Sequence, residues 1–508
     1  MPRRHLATSW IAFLLLAGGT TSLNPSRAQD ARGEPLAKPQ QSWDAVYMSG
    51  TKVGYVHTQV ERLKDPTKDR ELLRVQVDTV LSFKRRNDKI TQRVRYGTIE
   101  TPGGSVLRLD IRVQSGQDEM RTYGDVVDDK MPLTLVGGGQ KKQLEMPWGP
   151  EIRGPYAAEL SLARQPMQAG EEREEKMFIP LLNKIGTLKL KAERKETIEL
   201  GGRVKRELLR VEAPVFGPDG KPLVESSSTL WVDDNGQILK QSSDVYGGTA
   251  FYRTTEAAAK APNGEMDLIA EQIVKIPQKI PTPERTRAVV YQVGVTGSDP
   301  ASLFPADRRQ KTRPGRQAGT TVLEVRTAGP NDGEAGPEAV GDEYTQPNPQ
   351  INSADPRVVG HMKRAVGNAT EPWARATAIQ HWVARNIRAK NFTQGFANAA
   401  EVAESLTGDC TEHSVLTAAM CRAAGIPSRV AIGLVYADQL GGFGFHMWNE
   451  VYVNRRWVAI DSAFDQSDVD AVHLKLSDSS LDGVSPFESF EAVAKVFKKL
   501  TLKPLEIR

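Results

Sequence analysis

The sequence has very little cysteine: only Cys410 and Cys421 occur among 508 residues. Two cysteines exclude the disulfide framework that is typical of small secreted proteins. Both fall on one predicted helix, where a rise of about 1.5 Å per residue separates them by about 16 Å, far beyond the roughly 7 Å limit for a disulfide. We therefore expect two free thiols, and we interpret Cys421 as a small core hydrophobe.

Blocks of like charge and long apolar runs are also missing. The 67 basic and 63 acidic residues give a net charge of +4 that is spread along the chain, which argues against a nucleic-acid surface. The apolar run over residues 10–17 (WIAFLLLA) is much shorter than the roughly 20 residues that cross a bilayer. We expect no nucleic-acid partner and no stable membrane insertion of the mature chain.

The first 28 residues have the features of an export signal. Arg3 and Arg4 precede the apolar run, and Ser26 and Ala28 are small residues at the positions that a signal peptidase reads. We interpret residues 1–28 as a signal peptide and expect a periplasmic or secreted protein. An uncleaved N-terminal anchor is the alternative, whereas the lack of a nearby cysteine argues against a lipid anchor.

An alternation of apolar and polar residues dominates the region 41–260. It is clearest from Leu73 to Phe83 and from Leu107 to Val113, with the period of two that is typical of half-buried strands. Hairpin turns are predicted at Ser49-Gly50 and at Asn235-Gly236, since Asn-Gly is the strongest short hairpin signal. We predict an antiparallel β-rich region, built as one piece or as two similar halves.

Three further segments complete the predicted organisation. Residues 261–328 contain a few more strands and form a β-rich connecting segment, and residues 329–350 form a linker that is rich in Gly and Pro. Helical patterns begin at Asp355-Pro356, an N-cap followed by a first-turn proline, and strands come after the helices. Residues 351–508 are therefore predicted to be an α+β domain.

Cys410 is predicted to be the first residue of a helix. Asp409 and Glu412 have the spacing of a capping box, which makes Asp409 the N-cap. The Cys410 sulfur then lies at the positive end of the helix dipole, which favours the thiolate. The Cys410 N–H has no partner within the helix and can stabilise an oxyanion. Because cap positions are usually partly exposed, we expect a reactive thiol rather than an inert buried one.

His446 and Asp461 follow on two predicted strands. If residues 454–455 form a two-residue loop, Asp461 lies opposite Trp448, on the same face as His446 and diagonal to it. A three-residue loop would place Asp461 on the other face. Cysteine, histidine and aspartate in this order can supply a nucleophile, a base and a group that orients the base.

Other assignments of these residues compete with this triad. His413 is a second candidate base, although we favour a packing role, and Asp465 is a second candidate for orienting the histidine. A zinc site made of Cys410, His413 and His446 has no convincing fourth ligand. We therefore predict no metal and no cofactor.

Three motifs resemble the transglutaminase-like superfamily of papain-type cysteine enzymes. They are Gly408-Asp409-Cys410, His446-x-Trp448-x-Glu450 and Trp457-x-x-x-Asp461, and the resemblance covers about residues 355–465. It implies that Cys410 is the nucleophile, His446 the base and Asp461 the orienting residue. The β-rich N-terminal region more loosely resembles secreted bacterial proteins that carry this core.

The second oxyanion donor has no clear assignment, because Trp373 and Trp382 have the pattern of helix-core residues and Gln394 is only a candidate. Our preferred function is an exported cysteine enzyme that forms a thioester from an amide and passes the acyl group to water, with a protein or peptide as substrate. The alternatives are a protein transglutaminase, which uses an amine acceptor, and a non-catalytic envelope binding or scaffold protein. The sequence predicts no particular oligomeric state.

Overall fold

In the computed structural model the chain forms two compact units that meet in sequence near residue 266, and it is mostly β with some helices. The structure describes residues 34–508 apart from 36–38, 66–67, 86–87, 116–117, 138–139, 181, 202–203, 224–226, 244–247, 267–272, 298, 334, 337–339, 389–396, 483–492, 494–495 and 497–498. The predicted signal peptide and Gln394 lie outside the described residues. Within the described part of the chain, no helix combines the length and apolar character that a membrane crossing requires.

The N-terminal unit is built almost entirely from antiparallel strands. The long alternating segments form the strands Glu71–Arg85 and Val106–Ser115, as predicted, because every second side chain can be buried on one face. The strands are Glu34–Pro35, Gln40–Met48, Thr51–Lys64, Glu71–Arg85, Asp88–Glu100, Val106–Ser115, Asp118–Asp125, Lys130–Gly137, Gln140–Pro147, Ile152–Arg153, Glu172–Ile179, Lys184–Leu200, Val204–Ala213, Val215–Phe216, Ser228–Val232, Ile238–Ser243 and Thr249–Thr254. Short helices occupy Ala157–Arg164 and Glu256–Lys260.

Strand pairing joins the two ends of this unit. Both predicted hairpins are present, with Met48 paired to Thr51 and Val232 paired to Ile238. The last strand, Thr249–Thr254, pairs with the strand Gln40–Met48. The region therefore forms one large sheet rather than two separate halves.

The C-terminal unit contains two sheets and a group of helices. In one sheet the strand Gly442–Val453 pairs along one edge with Ser428–Ala437, and its other edge pairs with both Val274–Lys275 and Arg456–Ile460. His473–Ser479 pairs with the far side of Ser428–Ala437. The second sheet has the order Gln310–Pro314, Thr320–Arg326, Ala288–Val295 and Leu500–Ile507. The α-helices are Pro356–Val366, Pro372–Asn386, Ala399–Ser405 and Cys410–Ala423, and short 3-10 turns occupy Pro283–Arg285, Pro300–Leu303, Asp342–Tyr344 and Asp438–Leu440.

The predicted connecting segment and linker are not separate from the C-terminal domain in the structure. The predicted connecting segment contributes the strand Ala288–Val295, which pairs with the C-terminal strand Leu500–Ile507. Residues 273–508 therefore belong to one compact unit, with the Gly/Pro-rich stretch 329–350 inside it. Local composition could not show this, because the pairing joins residues that are about two hundred positions apart in the sequence.

Gly408 precedes the capping residue of the Cys410–Ala423 helix in a conformation that requires glycine. Its φ is +144°, and a Cβ built there would lie 2.2 Å from the Glu412 Cβ. Gly425, which follows the same helix, has a φ of +73° with no atom within 4 Å of a built Cβ. A comparison of substitutions at the two positions therefore distinguishes the cost of backbone strain from the cost of steric overlap.

We expect Gly408→Ala to reduce the free energy of unfolding more than Gly425→Ala does. Backbone strain of this kind costs about 1–3 kcal/mol at either position, and only at Gly408 must the buried Glu412 side chain also move. Urea unfolding of the two variants measures the difference. Equal losses of stability would show that Glu412 moves away without cost.

Candidate active site

Cys410 begins a helix whose capping agrees with the sequence pattern. The Asp409 side chain accepts from the Thr411 N–H at 2.9 Å, and Glu412 Oε2 accepts from the Asp409 N–H at 2.9 Å. The predicted capping box is thus confirmed, with Cys410 as the first helical residue. Glu412 Oε1 also accepts from the Ala397 N–H, which ties the start of this helix to the segment before it.

His446 lies in the middle of the strand Gly442–Val453. The hairpin that follows has the two-residue loop required by the sequence argument, because Val453 pairs with Arg456. This register brings Asp461 to His446, and His446 Nε2 donates to Asp461 Oδ2 at 2.6 Å. The bond occupies Nε2, while the buried Nδ1 has no hydrogen-bond partner among the described residues.

The Cys410 thiol contacts the same strand one residue further along. A hydrogen bond from the Met447 backbone N–H to the Cys410 sulfur favours the thiolate, whereas the negative charges of Asp409, Glu412 and Asp461 disfavour it. The structure therefore brings all three predicted residues into one site: the thiol beside Met447, the His446 imidazole on the preceding residue, and the Asp461 carboxylate against that imidazole.

The site is closed to solvent, which corrects the expectation of a partly exposed thiol. Cys410 and His446 are each 1% exposed. Burial is the largest influence on both groups: it raises the pKa of the Cys410 thiol well above its usual value and lowers the pKa of His446, although Asp461 opposes the second shift. Full burial can shift a pKa by about 3–5 units, whereas a helix terminus contributes about 0.3–1 kcal/mol, less than one unit. The resting pair is a neutral thiol and a neutral imidazole.

Asp461 is fully buried and remains ionised. Its Oδ1 accepts from the Ala463 and Phe464 N–H groups at 2.7 and 3.2 Å, and its Oδ2 accepts from His446 and from His473 Nε2, the latter at 3.1 Å. Burial would raise the pKa of this carboxyl, but the hydrogen bonds from His446 and His473, together with the positive charge of His473, hold it far below its usual range. Four donors thus fix the carboxylate in one orientation.

His473 and its partner Asp470 were missed by the sequence analysis. His473 begins the strand His473–Ser479, and its Nδ1 lies 2.7 Å from Asp470 Oδ1. Burial would lower the pKa of His473, but the Asp470 and Asp461 carboxylates outweigh it and raise that pKa to about 9. These residues belong to no motif in the sequence, and the pairing of the strand His473–Ser479 with Ser428–Ala437 places His473 in the same sheet as His446.

The residues that competed for roles in the triad lie elsewhere. Asp465 Oδ1 bonds to His381 Nδ1 at 2.6 Å and to Gln380 at 2.9 Å instead of contacting His446, because the chain turns after Asp461. His413 Nδ1 donates to the Asp409 carbonyl at 2.5 Å, which is the packing role we favoured. Trp373 and Trp382 lie on the helix Pro372–Asn386, and Trp382 packs on His361.

One group of described residues has the spacing of metal ligands. It consists of His446, Asp461 and His473, whose potential ligand atoms lie within 4.8 Å of one another. Both histidines direct Nε2 at the same Asp461 oxygen at hydrogen-bond distance, so an ion there would have to displace both protons. We therefore assign this group as a hydrogen-bonded network and not as a set of metal ligands.

A cavity of about 1470 Å³ lies beside the site. It is lined by the segment 278–284, by residues 462–466 and by His473, but not by Cys410 or His446. Phe464 lines the cavity and also packs on the His446 ring, with 4.6 Å between the ring centroids. Phe464 is therefore placed to separate the imidazole from the cavity.

We expect Phe464→Ala to accelerate alkylation of Cys410 by iodoacetamide, because the change removes the ring that covers His446 from the cavity side. In the unchanged protein both cysteines are buried, and burial raises the pKa of Cys421 to about 12. We still predict that Cys410 reacts before Cys421, though slowly. Peptide mass spectrometry follows both thiols, and an equal acceleration of Cys421 would indicate general loosening of the fold instead.

Comparison with known proteins agrees with this geometry. Residues 360–462 match the model of the transglutaminase-like superfamily. An uncharacterized protein of Haemophilus influenzae is 29% identical over an alignment of 147 positions, which covers 24% of this chain and 39% of that protein. The chain therefore spans about two fifths of the length of this curated relative.

Two solved structures show distant similarity. A candidate cysteine protease from Cytophaga hutchinsonii is 12% identical, with a TM-score of 0.29, and the match covers 44% of this chain and 87% of that one. A candidate protease from Parabacteroides distasonis is 13% identical, with a TM-score of 0.19 and coverage of 73% and 68%. Similarity at this level does not define an activity.

The matched segment contains Cys410, His446 and Asp461, so the site lies inside a transglutaminase-like domain. The resemblance predicted from the three sequence motifs is thereby confirmed.

Proposed function

We propose that this protein is an exported cysteine enzyme that transfers an acyl group from an amide to water by way of a Cys410 thioester. The observation that carries the proposal is the arrangement of three buried side chains. A thiol at a helix start lies beside a strand whose histidine bonds to a fixed, ionised aspartate. Together they supply a nucleophile, a base and an orienting group.

The His446 tautomer determines the proposed proton path. Because Nε2 donates to the Asp461 carboxylate, the neutral ring carries its lone pair on Nδ1. Nδ1 takes the proton of the Cys410 thiol as the sulfur attacks the substrate carbonyl, and the imidazolium then gives this proton to the leaving amine. Water, deprotonated by the same nitrogen, attacks the thioester and releases the acid and the thiol.

The neutral resting pair fits a site that becomes active only with substrate. Burial keeps the thiol and the imidazole uncharged until charge develops during attack, when the Asp461 carboxylate stabilises the imidazolium. Access to Cys410 requires movement around Phe464, which lines the adjacent cavity. We propose that a protein or peptide segment occupies this cavity during turnover, in the periplasm or outside the cell.

Transfer to an amine is the closest alternative, and a non-catalytic envelope binding or scaffold protein is the second. Hydrolysis is favoured because water is abundant. A scaffold does not require the burial of a thiol, an imidazole and a carboxylate in this arrangement. Burial of ionisable groups costs free energy, and such groups cluster at functional sites.

The deciding experiment is to profile the purified protein against a library of peptide amides, with and without a primary amine such as a lysine analogue. We expect cleaved peptides and, after acid quenching, a Cys410 acyl adduct detected by mass spectrometry. Products joined to the amine would move the assignment to transglutamination. Absence of both products, together with no Cys410 adduct, would favour the binding protein.

A further inference from the structure

His473 lies between two carboxylates, and it shares the Asp461 Oδ2 oxygen with His446. Its Nε2 lies 3.1 Å from Asp461 Oδ2, and its Nδ1 lies 2.7 Å from Asp470 Oδ1. The ring is fully buried, and Asp470 is 4% exposed. A neutral imidazole carries one N–H and can donate to only one of these carboxylates, whereas an imidazolium donates to both.

We infer that His473 is a positioning residue: an imidazolium at neutral pH, held by Asp470, that fixes the Asp461 carboxylate toward the catalytic base. This inference rests on the proposed function of the site. His473 and Asp470 lie outside the matched segment 360–462. They therefore add to the chemistry that the transglutaminase-like domain itself implies.

The charge balance of the buried cluster supports this role. If His446 and His473 were both neutral, the Asp461 and Asp470 carboxylates would have no cation among the side chains that hydrogen-bond to them. Burial of such charge is costly unless it is paired. A protonated His473 leaves one net negative charge shared by Asp461 and Asp470. The pKa of His473, raised to about 9, agrees with a charged ring at neutral pH.

The other ionisable groups around His473 favour the same charge states. Arg309 donates to the Asp470 carbonyl and helps keep the Asp470 carboxyl ionised, while Tyr291 faces Asp470 with its own pKa raised by burial. His446 is the second imidazole in the cluster, and the positive charge of His473 lowers its pKa. A protonated His473 thus helps keep His446 in the neutral form that a general base requires.

Two consequences distinguish positioning from simple packing. Loss of the His473 proton would direct a lone pair at one of the carboxylates, so turnover should fall as the pH rises through about 9. Without the imidazolium, Asp461 also loses one of the donors that orient it. His446 would then exchange between its two tautomers instead of keeping the proton on Nε2.

The test uses nitrogen-15 histidine NMR on the full chain, because the spectra report proton states whether or not a substrate is known. In the unchanged protein we expect one buried histidine, absent from the His473→Gln spectrum, to be doubly protonated at neutral pH and to titrate near 9. We expect His446 as the Nε2–H tautomer. Asp470→Asn should shift the His473 titration to lower pH while preserving the shape of the side chain.

His361→Gln is the matched control, since His361 is also buried and bonds to the Ala403 carbonyl away from the site. We expect it to leave both the His446 tautomer and the pH profile of peptide turnover unchanged. In His473→Gln the alkaline limb of turnover near pH 9 should disappear, and His446 should show mixed tautomers. A neutral His473 in the unchanged protein, or an unaltered His446 tautomer in His473→Gln, would overturn the inference. If the NMR result holds while peptides are not cleaved, the proposed function fails and the assigned proton states stand.

Discussion

Cys410→Ala is expected to abolish amide hydrolysis, because no other group in the site can form the thioester. The only other cysteine of the chain, Cys421, lies three turns further along the same helix and is fully buried. The loss should therefore reach the detection limit of the assay instead of settling at a partial rate. Product release from the best peptide substrate, followed by chromatography, measures it.

Cys421→Ala is the matched control for this substitution. It also removes a buried thiol from the same helix, but that thiol lies away from His446 and Asp461. Turnover should persist in Cys421→Ala and vanish in Cys410→Ala at equal thermal stability. Activity of Cys410→Ala that persists after repeated purification would show that the reaction does not pass through a Cys410 thioester.

Asp461→Asn should reduce turnover by a large factor that is still smaller than in a serine triad, where the corresponding change costs about 10⁴-fold. An amide at this position favours the wrong His446 tautomer. The Cys410 thiol is intrinsically more acidic than a hydroxyl and depends less on its base, which limits the loss. Asp465→Asn is the comparison, because that carboxylate bonds to His381 and Gln380 and should contribute little to the reaction. Full activity in Asp461→Asn with inactivity in Asp465→Asn would exchange the roles of the two aspartates.

Asp461→Asn should also change the pH dependence of stability. The folded-state pKa of Asp461 is depressed, so its contribution is present above the unfolded value of about 4 and is lost as the pH falls toward the folded value. The variant should therefore lose stability at neutral pH, by about 3–5 kcal/mol for breaking a buried charge pair, and should lose less than the unchanged protein on acidification. Circular dichroism during urea unfolding at two pH values measures both effects, and parallel acid dependence in the two proteins would contradict them.

The local parts of the active site could be predicted because they depend on neighbouring residues. Asp409 and Glu412 specify a capping box by their spacing, and that spacing fixes Cys410 as the first helical residue. A two-residue hairpin loop fixes the register between the His446 strand and the segment that ends at Asp461. The spacing was sufficient to predict the capping box, whereas the sequence left a two-residue and a three-residue loop open and the structure shows the shorter one.

Burial of the site could not be predicted in the same way. The cap position suggested an accessible thiol with a lowered pKa, but packing of the helix against the strand Gly442–Val453 leaves Cys410 only 1% exposed. Desolvation then outweighs the helix dipole and reverses the direction of the shift. Exposure depends on what covers a residue, which a local pattern does not specify.

Local patterns in the sequence predicted the strand alternation, the helix caps and the resemblance of three short motifs to the transglutaminase-like superfamily. They also indicated the candidates for the nucleophile and the base. Only the tertiary structure decided that Ala288–Val295 pairs with the C-terminal strand, and that Asp461 rather than Asp465 contacts His446. It also brought His473, together with its partner Asp470, to the Asp461 oxygen that His446 contacts. The physical reason is the same throughout: hydrogen-bond patterns within a few residues follow from spacing, whereas contacts between distant strands and the burial they produce follow from how the whole unit packs.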